Sequence, residues 1–129
     1  MPATGNFLLD KGYDADAVTT KFRAVKAGAT AESVTPVTVA GEDGMGVSQF
    51  GVTAAELVKG KGCSVRVHGI TEFEAGAAIA READVTVDAS GRCVTAAAGN
   101  RVWGKAKQAA SGIGVRISVD LAIVKYIKA

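Results

Sequence analysis

Short alternating apolar runs dominate the chain. Ser64-Val65-Arg66-Val67-His68-Gly69-Ile70 places Val65, Val67 and Ile70 toward one face and Arg66 and His68 on the other, the period-two signature of a strand. Val34–Val39 is rich in β-branched residues, and Pro36 predicts an edge strand or a start after the proline. Further strands are predicted over Gly46–Val52, Arg101–Ala106 and Val115–Val119, and the apolar tail Leu121–Lys128 reads as a final buried strand. Asp84–Asp88 and Arg92–Thr95 flank Ala89-Ser90-Gly91, which predicts a hairpin with Gly91 at positive φ. Helix signals are sparse. Thr53 and Glu56 have capping-box spacing and predict one helical turn, and the alanine-rich Glu74–Glu82, interrupted by Gly76, reads as a loop or a second short helix. The expected fold is a mostly-β single domain, a small β-sandwich or β-barrel-like structure with one or two short helical turns.

The first residues break this rhythm. Phe7-Leu8-Leu9 is an apolar cluster between Gly5-Asn6 and Asp10-Lys11-Gly12. It reads either as a first edge strand or as an extended N-terminal arm over residues 1–12 that docks Phe7, Leu8 and Leu9 on a partner, with residues 13–129 forming the β-rich domain. Phe50-Gly51-Val52 followed by Val65-Arg66-Val67 also echoes Trp103-Gly104-Lys105 followed by Val115-Arg116-Ile117. Duplication would explain the echo, and so would the general likeness of hairpins.

Composition narrows the function. The chain has 129 residues, enough for one core, but only 5% are aromatic and a net charge of +2 offers no basic stripe for nucleic acid. No apolar run approaches the ~20 residues of a membrane-spanning helix. The start lacks the charged-then-apolar pattern of a secretory signal, so folding in a cytoplasm is expected, with Cys63 and Cys93 as free thiols serving as small apolar side chains.

Candidate chemistry is thin. His68 is the single histidine, and Cys63, His68 and Cys93 are scattered rather than clustered at metal-ligand spacing. The Gly41-Glu42-Asp43-Gly44-Met45-Gly46 loop lacks the phosphate-binding form, and its acids would repel phosphate. Glu72, Glu74, Glu82 and Asp84 raise a paired-carboxylate hydrolase as an alternative to a solvated loop, and Trp103 and Tyr13 raise a carbohydrate-stacking module as an alternative to core packing. No catalytic, cofactor-binding or metal-ligating residues and no cofactor are expected.

The order Val47 to Val52, Gly62 to Gly69, Glu74 to Ile79, Asp84 to Arg92, Ala97 to Ala106 and Val115 to Ile117 resembles the capsid decoration, or cement, proteins of tailed bacteriophages. The resemblance covers a little over half the chain and leaves out the N-terminal segment and the tail after Asp120. It implies a non-enzymatic virion protein on the outer capsid surface, bound to the major capsid protein across capsomer joints and assembled as a homotrimer. Another virion subunit, of the tail tube or head-completion type, shares the same profile.

Overall fold

A computed structural model describes residues 7–60 and 62–129. It contains β1 (Phe7–Ala15), β2 (Ala24–Ala27), β3 (Ser33–Pro36), β4 (Gly46–Ser48), α1 (Ala54–Val58), β5 (Gly62–Glu74), β6 (Asp84–Val87), β7 (Cys93–Thr95), β8 (Arg101–Ala106) and β9 (Arg116–Ile127). The order β1-β3-β2-β4-β5 closes on itself through β1–β5 pairing, so the first half of the chain is a five-stranded barrel. β5 is 13 residues long and continues past that barrel, where its second half pairs with β9. From there β9-β8-β6-β7 forms a second ring, closed by a parallel bridge between Ala75 and Cys93. The fold is therefore mostly β and barrel-like, as the alternation predicts, with the shared strand β5 as its axis.

The two rings are copies. Tyr13 faces Cys63 across β1 and β5, and Phe73 faces Ile117 across β5 and β9. Ala15 bridges Val34 in parallel as Ala75 bridges Cys93. Val25 opposes Gly46 as Val85 opposes Gly104, and Ser48 opposes Val65 as Ala106 opposes Val119. The isolated bridges Thr19–Val52 and Ile79–Ala110 correspond, and so do the two non-glycine residues at positive φ, Phe22 (60°) and Glu82 (69°). Gly46 and Gly104 hold the same place for the same reason. A Cβ there would fall against the carbonyl oxygen of Arg66 or of Asp120, one strand over. The duplication suggested by the sequence echo is real, but its register differs. Phe50 corresponds to Gln108 and Val65 to Val119, whereas Trp103 corresponds to Met45.

Each barrel has its own core. Tyr13, Val25, Val34, Val52, Cys63 and Val65 fill the first, and their counterparts Phe73, Val85, Cys93, Ala110, Ile117 and Val119 fill the second. Ala24, Val37 and Val47, on the outside of the first barrel, join the second core, so this face is covered by the second copy. The corresponding positions in the second barrel are Asp84, Ala96 and Lys105, with Asp84 paired to Lys105 and Lys128 at 3.6 and 3.1 Å. A charged outer face ends the array after two copies, as a capping repeat does.

Several expectations meet the structure directly. Thr53 and Glu56 form the reciprocal capping box that starts α1, a helix of 5 residues. Among the described residues it is the one helix, and Glu74–Glu82 instead runs from the end of β5 through the bridges at Ala75 and Ile79. Pro36 ends β3 rather than preceding it, opposite Val25. β2 was not foreseen, and the two runs Val115–Val119 and Leu121–Lys128 are one strand, β9. Asp88 Oδ1 accepts from the amides of Ser90 and Arg92, and Gly91 takes φ +80° as the hairpin requires. Gly91→Val is expected to lower stability by about 1 kcal/mol or more, read as a drop in melting temperature.

The described part of the N-terminal segment is a strand with a neighbour on each side. From Phe7 onward it is β1, paired antiparallel with β5 from Phe7–Gly69 to Asp14–Gly62 and parallel with β3 at Asp14 and Ala15. The strand runs across position 12. Residues 1–6 of the proposed arm lie outside the described residues. Strand pairing is made by the backbone, and among the described side chains of this segment, Leu9 to Ala15, Tyr13 is the buried one.

Candidate functional site

The residues singled out for chemistry do not converge. Cys63 and Cys93 are free and buried in different barrels, where burial raises both thiols, Cys93 to about 12. His68 lies on β5 opposite Leu9, with a buried Nδ1 that has no hydrogen-bond partner among the described residues. Among the described residues no three His, Cys, Asp or Glu side chains gather at metal-binding distance, and no helix is long and apolar enough to cross a membrane. Tyr13 and Trp103 are buried and present no stacking face. Trp103 Nε1 donates to the Glu42 carbonyl at 2.9 Å.

The carboxylates separate into structural roles. Glu74 receives Arg23 at 3.2 Å and Arg92 at 2.6 Å, tying the first barrel to the second. Glu42 accepts from the amides of Thr38 and Val39 and from Lys26, which makes the glycine-rich loop a self-satisfied clamp. Asp84 holds Lys105 and Lys128, and Glu82 pairs with Lys107. Glu72 lies apart from these, at a hollow beside Phe50.

These pairs set a pH dependence. Burial pushes Glu74 up, but hydrogen bonds from Arg92 and Arg23 and their charges outweigh it and hold the carboxyl below its usual range. Burial likewise opposes, without cancelling, the Val39, Thr38 and Lys26 bonds that lower Glu42. Asp84 is lowered first by its bond from Lys128. A carboxyl lowered in the folded state binds fewer protons than in the unfolded chain. Its stabilisation is whole above the unfolded pKa and is lost as pH falls through the folded one. The melting temperature is therefore expected to hold from neutrality down to about pH 5 and to fall steadily below it. Glu74→Gln should lower the neutral-pH value and flatten the acid slope; an unchanged slope would show that the cluster contributes nothing.

What remains outward is apolar side chains at several points of the surface. Leu9 is 44% exposed on β1, and Val58 on α1 and Ile113 in the β8–β9 loop are more exposed still. Of the three residues foreseen as a docking element, Leu9 is thus on the surface, while the side chains of Phe7 and Leu8 lie outside the described residues. Phe50, which the sequence reading placed in a strand, is 59% exposed. The phage cement protein family matches residues 14–121. The chain belongs to the phage cement protein family. This cement protein thus joins a class of phage virion structural proteins, and the match reaches beyond the stretch on which the resemblance was read. A crystal structure of the head fiber gp8.5 N base of bacteriophage phi29 shares the cement protein's fold. The TM-score is 0.69 at 15% identity, over 92% of this chain and 97% of that one. No curated protein sequence matches the cement protein.

Proposed function

We propose that this cement protein binds the outer surface of a phage capsid across the joints between capsomers and holds them together. The match of residues 14–121 to the phage cement family carries this reading. Its partner is the major capsid protein, and it acts as a homotrimer. Each copy then touches several shell subunits, and contacts that are individually modest add through effective concentration. The start of β1, with Phe7, Leu8 and Leu9, contributes one of these contacts. Leu9 supports this by its exposure beside the end of a strand, where an apolar side chain gains by being covered.

The experiment is decoration of purified, undecorated capsids followed by electron microscopy and sedimentation. Added protein is expected to appear at regular positions on the shell and to raise the temperature at which particles burst. Leu9→Asp is expected to lower occupancy severalfold at limiting protein while leaving the melting temperature of the free protein unchanged. Full occupancy by that variant would move the contact elsewhere on the body. Assembly of the purified protein into tubes or head-completion rings, without shell binding, would replace the cement reading altogether.

A further inference from the structure

The duplication supplies an internal control that marks one place where the two copies differ in kind. In the second barrel, Gln108 Oε1 accepts from the Ser118 amide at 2.9 Å, and Lys107 pairs with Glu82 at 3.2 Å. Each of these side chains has a partner within its own barrel. The same positions in the first barrel are Phe50, Gln49 and Phe22. There Phe50 turns most of its ring to solvent at the rim of a hollow of about 260 Å³. Gln49 is buried, and its Nε2 donates to the Val47 carbonyl and Thr71 Oγ1, which leaves its Oε1 as an acceptor. The Glu72 carboxylate lines the hollow and, among the described residues, has no hydrogen bond or ion pair of its own. Lys21 lies over the Phe22 ring at 4.7 Å, and Asp10 and Arg66 close the other side as a bidentate pair at 2.8 and 3.2 Å.

We propose that this hollow binds one sugar ring of a glycan, a function separate from shell binding. Three observations select that ligand class. The volume lies just below the ~300 Å³ at which pockets begin to hold drug-sized molecules, so the occupant is of single-ring size. The formal charges balance, Asp10 and Glu72 against Lys21 and Arg66, which disfavours an anion or a cation and suits a neutral ligand. An exposed aromatic ring beside carboxylate, carboxamide and ammonium groups matches a molecule with one C–H face and a rim of hydroxyls. Phe50 covers the face, Glu72 and Gln49 Oε1 accept from hydroxyls, and Lys21 donates to them. Such a site is weak alone, but it is repeated on every copy, and a particle carrying many copies would hold a glycan-coated surface by multivalency.

The test is an amide-resolved NMR titration of the full chain with the methyl glycosides of glucose, galactose, mannose and N-acetylglucosamine. Saturable millimolar shifts are expected for at least one of them at Gln49, Phe50 and Glu72, and none at Lys107 and Gln108. Phe50→Ala and Glu72→Gln should each weaken binding by about tenfold or more without moving the melting temperature. Absence of saturable shifts with all four sugars, or shifts that survive Phe50→Ala, overturns the proposal. So does loss of capsid occupancy on Phe50→Ala in a protein that binds no sugar, which would make the hollow a shell contact instead.

Discussion

Deleting residues 1–15 is expected to abolish cooperative unfolding. The deletion removes all of β1, whose backbone closes the first barrel against β5 on one side and β3 on the other. Two strands would be left with unpaired backbone groups, and both would become edges. Tyr13 would leave the first core, and Arg66, mostly buried, would lose Asp10. Removing one partner of a largely buried ion pair costs up to about 3–5 kcal/mol, a large part of the roughly 5–15 kcal/mol that holds a domain together. Circular dichroism during urea titration should show a sloping baseline in place of a sigmoid. A truncated chain that still melts sharply near the parent temperature would mean that the first ring closes without β1.

Trp103→Ala is expected to cost about 3–5 kcal/mol. Trp103 is fully buried where the second core meets the outer face of the first barrel. Its ring packs against Phe73 with centroids 6.3 Å apart and planes at 59°, and it covers Gly44 so closely that a Cβ there would strike it. Its Nε1 bond to Glu42 anchors the loop that leads into β4. Alanine would leave a cavity that neither barrel can fill without moving the other. Met45, the same position in the first barrel, is only half-buried, so Met45→Ala should cost markedly less. Equal costs for the two variants, measured by urea denaturation, would contradict this account of how the barrels join.

The alternation of Val65 and Val67, the Asp88–Gly91 hairpin and the Thr53–Glu56 cap were legible because each is a local pattern with a local cause. β2 was not: Ala24-Val25-Lys26-Ala27 is too short to show a period. β5 was cut short because Glu72 and Glu74 look like loop residues, although Phe73 between them is at the centre of the second core. The register of the duplication was hidden for a deeper reason. Equivalent ladder positions carry Phe22 and Glu82, Thr19 and Ile79, or Val47 and Lys105, because one copy is covered where the other faces water. Backbone geometry was kept while side chains diverged, and side chains are all that a sequence pattern can read. The same limit applies to the hollow at Phe50, since Lys21, Gln49, Arg66 and Glu72 come together only when β4 and β5 pair. Leu9 stands out in the sequence as an apolar residue between Gly5 and Gly12, and the fold adds that it is exposed.

Barrels in tandem are ordinarily joined by a linker, and a linker lets them swing. Here the joint is the unbroken run of β5, about 40 Å of strand at ~3.3 Å per residue, gripped by β1 along its first half and by β9 along its second. Pulling the halves apart would load both sets of hydrogen bonds lengthwise, all at once, rather than peeling them singly. The molecule is a strut, not a hinge. Between two bodies that tend to separate, it would pass a displacement at one end to the other with little give.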